Sequence, residues 1–566
     1  MDVQINEAIT ALQQRVNIAS TIDEITDSHL AQLLTTTASK QPENLAFTSL
    51  GHSINFAQLN ALSDAFAIYI QQHTDLQKGD RLAIQLPNVI QYPVVFFGAI
   101  KAGLVVVNTN PLYTERELVH QFNDSGAKAL VVLANVAHSV QDVIPKTGIR
   151  HVIVTEIADL HGTLSRTLIN FAMRYIKRAV PAYSIPNALT LRGCLKLGQK
   201  GEFQDPNIAV DDLALLQYTG GTTGLSKGAM LSHRSLLSNV AQQKLLFKAF
   251  GAPEDEVNST AVLPLPLYHI FACSACAFLV SQGRHCLLIA NPRDLPSMVK
   301  TMSAWPFSVF YGLNTLFVAL CARDDFKALD FSNLSMTVSG GMALTSDAAQ
   351  RWHDTTGVEI NEGYGLTETS PVVSINTGGA GRKLGSIGVT APGTELKVID
   401  GEGNALPCGE KGELCVRGPQ VMQGYWQQPE KSAEVLSADG WFATGDIAVI
   451  DEDGFPQLVD RKKDMIIVSG FNVYPNELEN VISSHDKVLE CAVIGVKDER
   501  AGEKVKVYVV KSDSSLTSEE IIAYCRTQLT PYKVPSEVAF IDDLPKSNVG
   551  KILRRELRDA DASNSA

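Results

Sequence analysis

An α/β fold is predicted: a large N-terminal domain of layered sheets and helices carrying a small β-barrel-like module, then a small α+β C-terminal domain. Three observations carry this. Strand-like and helix-like segments alternate over about residues 30–155 and again over 259–360, as in mostly parallel sheets with helices on their faces. Past residue 389 the pattern changes to short strands separated by Gly and Pro turns. After Lys463 comes a compact α+β pattern that ends in a charged tail over 557–566. With 566 residues the chain also exceeds the ~250–300 at which a single core stops growing, so at least two domains are required.

The apolar run 82–86 follows Gly79-Asp80 and reads as a buried strand; 89–102 reads as a helix, 104–108 as a strand, 115–126 as a helix and 129–133 as a strand. Short strands are predicted at 395–400, 412–417, 448–450 and 457–459, a spacing that suits an antiparallel or barrel-like module. The charged run Asp460-Arg461-Lys462-Lys463-Asp464 marks the domain boundary and divides the chain into 1–460 and 461–566.

Hydrophobic residues at 45% against 19% charged ones place the chain among globular proteins and exclude a disordered one. A net charge of -13 argues against a nucleic-acid binder, which needs a basic surface to neutralise phosphates. The nine cysteines are odd in number and scattered, so no disulfide framework is expected and a reducing, cytoplasmic compartment is. The first residues show no apolar signal-peptide core. The most apolar stretch, 94–107, is broken by Lys101 and two glycines and is shorter than the ~20 residues of a spanning helix, so a soluble or peripheral protein is expected.

The densest chemical signal is Tyr218-Thr219-Gly220-Gly221-Thr222-Thr223-Gly224-Leu225-Ser226-Lys227-Gly228, which comes after an apolar run at 213–216. Its glycines allow a tight turn that presents backbone N–H groups, its threonines add hydroxyl donors, and Lys227 adds a positive charge. Such a loop suits a polyphosphate, though it does not fit the Walker A spacing. The alternative is a flexible Gly/Thr surface loop.

This loop resembles the phosphate-binding signature of the adenylate-forming superfamily of acyl-CoA ligases, peptide-synthetase adenylation domains and beetle luciferases. Four further segments occur in that superfamily's order: 361–369 (NEGYGLTET), 441–446 (WFATGD), the hinge region from Asp460 to Pro475, and 545–551 (PKSNVGK). The resemblance spans about residues 30–560. Segments 267–271, 470–477 and 545–558 are similar to bacterial long-chain fatty acid–CoA ligases.

The resemblance implies a two-step reaction: a fatty acid carboxylate and ATP give acyl-adenylate and pyrophosphate, and coenzyme A then displaces AMP, activating fatty acids for degradation or lipid synthesis. It places Tyr218, Thr219, Gly220, Gly221, Thr222, Thr223, Gly224 and Lys227 on the phosphates, with Thr219 and Glu368 near Mg²⁺, a hard cation that suits oxygen ligands. Gly341, Gly363 and Tyr364 would form the adenine slot, with Gly365 and Thr367 completing that segment, while Asp446 holds the ribose, assisted by Arg461. Lys551 would bridge the attacking carboxylate and the α-phosphate, where negative charge crowds. Because Lys551 lies in the C-terminal domain, that domain is expected to be mobile, rotating about a hinge at Lys463. His269 would lie beside the acyl carboxylate, or else start a helix. Ala272, Cys273, Cys276 and Gly312 would line an acyl tunnel, or else pack as ordinary core. The spacing His269, Cys273, Cys276 mimics a metal cluster but lacks a second ligand group.

Residues 163–200 hold seven basic and no acidic residues. On a helix, Arg166, Arg174, Lys177 and Arg178 fall within about 120°, opposite Leu168, Ile169, Ala172, Met173, Ile176 and Val180. A basic amphipathic helix at 164–180 is a candidate for peripheral contact with the inner membrane; the alternative is that its apolar face packs on its own domain. A homodimer stays an open reading. Rival readings are another enzyme of the superfamily, such as an acyl-AMP ligase, an aryl- or medium-chain CoA ligase or a luciferase, and a catalytically inactive binding protein. Against the last stand Thr219, Glu368, Asp446, Arg461 and Lys551 together.

Overall fold

The computed structural model describes residues 2–219, 226–248, 259–498, 500–547 and 550–564. Two large sheets form the body. In the first, seven strands run in the order Leu189–Thr190, His151–Thr155, Ala127–Leu133, Arg81–Gln85, Val105–Asn108, Leu213–Thr219, Lys227–Ser232. All neighbours are parallel except the last pair, an antiparallel hairpin at the sheet edge. The second sheet has nine strands; its centre is the parallel set His285–Leu288, Thr260–Leu263, Phe307–Gly312, Met336–Ser339 and Ile360–Gly365.

Strand period decides the layering. Leu82 and Ile84 face the core shared by both sheets, whereas Ala83 faces a second cluster with Leu118 and Phe122 of the helix Glu115–Ser125. That helix carries a Thr114/Glu117 capping box and ends on Gly126 in the left-handed conformation. The apolar stretch near residue 100 becomes the helix Gln91–Lys101, buried along its whole length in the shared core, as a helix apolar on all sides must be. Among the described residues no helix is long and apolar enough to cross a membrane.

The small module differs from expectation. It is an open antiparallel sheet, Glu395–Ile399, Gly412–Arg417, Phe442–Ile450 and Pro456–Arg461, rather than a closed barrel. Its edge is covered instead of closed: the helix Asp2–Arg15 buries Ile5, Ile9 and Leu12, and the Asn6 side-chain amide pairs with both backbone groups of Leu396. Residues from Ile466 on build a separate sheet in which Val488–Asp498 pairs with Gly502–Lys511. The helices Pro475–Ser483 and Ser518–Gln528 and the strand Glu537–Phe540 complete it.

The 163–200 insertion keeps its predicted polarity only in part. The helix Thr163–Phe171 continues as a π-helical turn, Ala172–Ile176, and this wider turn shifts the angular position of the residues after Phe171. Arg174 turns inward to Glu156 at 2.6 Å, and Asn170 accepts from the Ala158 N–H. Arg166 is likewise half-buried, as are Ile169, Ala172 and Met173. Outward instead point Leu164, Leu168, Phe171, Tyr175 and Ile176, exposed by 55–74%, beside exposed Lys177 and Arg178.

Candidate active site

The predicted residues come mainly from the carboxyl ends of parallel strands, where α/β sheets leave a crevice. The glycine-threonine loop joins the hairpin strands Leu213–Thr219 and Lys227–Ser232, so Thr219 lies opposite Lys227. Gly220, Gly221, Thr222, Thr223 and Gly224 fall outside the described residues. The helix Glu115–Ser125 braces both legs: Tyr218 donates to Asp124 at 2.5 Å, and His120 Nε2 donates to the Ser226 carbonyl at 2.9 Å. Tyr218 thereby departs from its expected role. Its ring is buried in the cluster behind the hairpin, where a methyl on Gly228 would come within 3.1 Å of it, so the side chain braces the hairpin from behind.

Glu368 sits in a single helical turn, Thr367–Thr369, packed against the strand Lys227–Ser232. Its carbonyl accepts from the Met422 N–H at 2.8 Å, and its Oε1 accepts from the Tyr425 hydroxyl at 2.8 Å. Lys227 Nζ lies 4.1 Å from the centre of the same Tyr425 ring. Sequence reading missed Tyr425; its only trace there is an aromatic pair after Gly424 in an otherwise polar stretch.

Asp446 and Arg461 are register partners on adjacent antiparallel strands. The buried Asp446 carboxylate takes Arg461 Nε on Oδ1 at 3.0 Å and the Tyr364 hydroxyl on Oδ2 at 2.6 Å. Tyr364 thus orients the Asp446 carboxylate, a duty beyond the predicted stacking. A cavity of about 290 Å³ opens alongside, lined by Thr444, Gly445, Arg461, Lys462 and Lys463. In the chain Lys463 is flanked by two buried carboxylates: Asp460 accepts from the Asn476 N–H at 2.8 Å and is pushed up to about 6 by burial, and Asp464 pairs with Arg558 at 2.8 Å.

Gly341 adopts φ +85°, and a methyl there would lie 3.6 Å from Lys551 Cε. A methyl on Gly363 would make only ordinary contacts with the Ser339 carbonyl and Ile375, so the backbone there does not require glycine. Gly365 is different: a Cβ would lie 2.1 Å from the Pro371 carbonyl oxygen, so this glycine closes the turn before Glu368 and serves the fold.

The Lys551 loop rests on the N-terminal body. Thr315 donates to the Gly550 carbonyl at 3.4 Å, and Ser346 hydrogen-bonds to Asn480 Oδ1 at 3.4 Å. Burial, and then the Arg461 guanidinium, push Lys551 down to about 8 against the pull of Asp446 and Glu368. His269 both caps a helix and reaches the site. Its Nδ1 accepts from the Phe271 N–H at 3.3 Å at the start of Ile270–Ser281, and burial, then Lys551, lower it to about 3. The ring is therefore neutral and carries its proton on Nε2.

The four tunnel candidates do not share one wall. Ala272, Cys273 and Cys276 are buried in that helix. Cys273 abuts a polar relay in which Tyr92 donates to Asn108 (2.7 Å), Asn108 to Gln217 (2.9 Å) and Gln217 to the Tyr268 carbonyl (2.9 Å). Gly312 points the other way, since a methyl would meet Phe317 at 2.6 Å on the opposite face of its strand. The apolar surface next to His269 is instead Phe271 against Tyr311 and Gly340.

Residues 34–426 match the AMP-binding enzyme family, and residues 477–551 match the AMP-binding enzyme C-terminal domain. The chain belongs to the AMP-binding enzyme family. This AMP-binding enzyme is 50% identical over 544 residues, 96% of either chain, to a long-chain-fatty-acid–CoA ligase of Yersinia pestis. It is 48% identical over 521 residues, 92% of either chain, to a long-chain-fatty-acid–CoA ligase of Haemophilus influenzae. Among solved structures, ATP-bound MatB from Rhodopseudomonas palustris matches with a TM-score of 0.79 at 29% identity, over 94% of this chain and 98% of its own.

The oxygen donors fit Mg²⁺. Glu368 keeps Oε2 without a hydrogen bond among the described residues, and one carboxylate with substrate phosphates is a usual Mg²⁺ environment.

Proposed function

We propose that this AMP-binding enzyme is an ATP-dependent long-chain fatty acid–CoA ligase. The observation that carries the reading is Lys551 lodged against Gly341, in the electrostatic company of Asp446, Arg461 and Glu368. The acyl class is that of the named relatives.

In the first step the fatty acid carboxylate attacks the α-phosphorus of ATP, the bond to the bridging oxygen breaks, and pyrophosphate leaves with the electron pair. Asp446, oriented by Tyr364 and Arg461, accepts from the ribose hydroxyls. Gly341 and Gly363 give room to adenine, and Lys227 with the glycine-threonine loop holds the departing phosphates. Lys551 lies where carboxylate and α-phosphate meet, and its ammonium offsets the charge that accumulates there. The neutral His269 donates from Nε2 to the carboxylate and orients it. Bound by Glu368 near Thr219, Mg²⁺ would neutralise the phosphate oxygens. Rotation about Lys463 then withdraws Lys551, and the thiolate of coenzyme A attacks the acyl carbonyl and expels AMP.

Coenzyme A-dependent AMP release across saturated acids of increasing length tests the substrate class. Each buried methylene contributes ~0.8 kcal/mol, so eight further carbons gain roughly 6 kcal/mol gross in a long apolar channel. Activity is expected to rise towards long chains; a maximum with short or aryl acids would sink the long-chain reading and leave the two-step chemistry standing.

The outward stripe of Leu164, Leu168, Phe171, Tyr175 and Ile176, flanked by Lys177 and Arg178, suits peripheral contact with the cytoplasmic face of an anionic membrane, its apolar side inserting. Co-sedimentation with anionic vesicles is expected to fall at least tenfold in the double variant Leu168→Glu, Phe171→Glu, at unchanged activity in detergent-free solution. Equal binding by both proteins would overturn the contact.

A further inference from the structure

Two carboxylates of the site each carry a tyrosine hydroxyl: Tyr364 on Asp446, and Tyr425 on Glu368. The Tyr425 hydroxyl has no role in the two-step chemistry as derived above. Tyr425 is held on all sides. Its N–H donates to Ser432 Oγ at 2.8 Å, it bridges Ala229, and its neighbours Gly424 and Trp426 hydrogen-bond to Met230 and Gly228. The segment 422–426 therefore runs antiparallel along the outer strand of the phosphate hairpin, tied to it by one isolated bridge and backbone hydrogen bonds. Through Met422 the same segment grips the backbone of Glu368. One rigid strip thus sets the distance between Lys227, over the Tyr425 ring, and Glu368, on its hydroxyl.

The hydroxyl has a chemical consequence. With Tyr425 on Oε1, the oxygen of Glu368 that carries no hydrogen bond among the described residues, and so the one it offers a cation most readily, is Oε2. Mg²⁺ is small and octahedral and takes carboxylates through one oxygen, while Ca²⁺ accepts both oxygens of one carboxylate. We infer that Tyr425 is the positioning residue of the metal end of the site: its ring supports Lys227, and its hydroxyl holds Glu368 in the one-oxygen mode that favours Mg²⁺ over Ca²⁺. The inference rests on the proposed role of Glu368 as the Mg²⁺ carboxylate.

The test is calorimetric binding of the α,β-methylene analogue of ATP, whose α–β bridge cannot be cleaved to transfer AMP, to the full chain in EDTA, Mg²⁺ or Ca²⁺. In the unmodified protein Mg²⁺ tightens binding more than Ca²⁺ does. Tyr425→Phe keeps the ring and removes the hydroxyl. Its metal-free affinity is expected to be unchanged, its gain from Mg²⁺ about tenfold smaller, the scale on which partners of metal ligands act, and its gain from Ca²⁺ no smaller. Tyr425→Leu also removes the support under Lys227, so its metal-free affinity falls as well. The inference is overturned if Tyr425→Phe keeps the full Mg²⁺ gain, or if it loses metal-free and Mg²⁺-dependent affinity alike. If Glu368→Gln keeps the full Mg²⁺ gain, it is the role of Glu368 that fails, a result separable from the behaviour of Tyr425→Phe.

Discussion

Lys551→Ala is expected to slow adenylate formation by about 10²–10³-fold, the scale on which one pre-placed electrostatic partner acts. Transfer from preformed acyl-adenylate to coenzyme A should be nearly unaffected, because that step comes after withdrawal of Lys551. Pyrophosphate exchange reports the first step, and thioester formation from synthetic acyl-adenylate reports the second. Equal losses in both would make Lys551 a structural residue; no loss in either would remove it from the chemistry. The ammonium must be charged to act, and the free enzyme holds it at about 8. The kcat/KM for ATP, which reports the free enzyme, should therefore fall as pH rises through about 8, a limb absent from Lys551→Ala. Folding stability runs the other way. The unfolded chain holds this proton up to the ordinary lysine value of 10.5, so between about 8 and 10.5 this group's contribution to stability rises with pH.

Asp446→Ala should weaken ATP and AMP binding by about 100-fold. Two ribose hydroxyls on a charged acceptor are worth at least ~1.5 kcal/mol each, and ~1.4 kcal/mol is a factor of ten. Titration calorimetry with AMP measures this without turnover. Two further effects mark the position of Asp446 in the site. The buried Tyr364 hydroxyl loses its acceptor, at a cost of roughly 1–3 kcal/mol, so the melting temperature drops. Lys551 loses a neighbour that raises its proton affinity, so the descending limb of the pH profile moves below about 8. Unchanged AMP affinity would remove Asp446 from the ribose site.

Much of the site was legible because its chemistry sits in short contiguous strings. Lys551, Glu368, Asp446 and Arg461 each lie in a motif that resembles one of the family's, which is what implies their phosphate or ribose contacts, and the alternation of segments announced parallel sheets. Illegible were relations between strings. Tyr425 reaches Glu368 across 57 residues of chain, and nothing local marks a tyrosine as the partner of a distant carboxylate. Tyr218 and Gly365 stand inside ligand-binding motifs yet serve Asp124 and the Pro371 carbonyl, duties seen only once the backbone is placed. Gly312 was assigned to the wrong face because strand period gives two faces without saying which neighbour covers each.

The insertion shows the same limit in a helix. Ideal spacing put four basic residues on one outward arc, but a π-helical turn and the Glu156 carboxylate drew Arg174 inward and left the aromatic and aliphatic stripe in solvent. By itself the sequence determined the family and the order of its motifs, because those depend on residue type and local spacing. The tertiary structure alone decided how the candidate site residues are presented: Glu368 with Oε1 on Tyr425 and Oε2 without a hydrogen bond among the described residues, His269 with Nε2 rather than Nδ1 protonated, and a lysine held near 8 rather than 10.5. The physical reason is that availability is set by burial and by hydrogen bonds from residues remote in the chain.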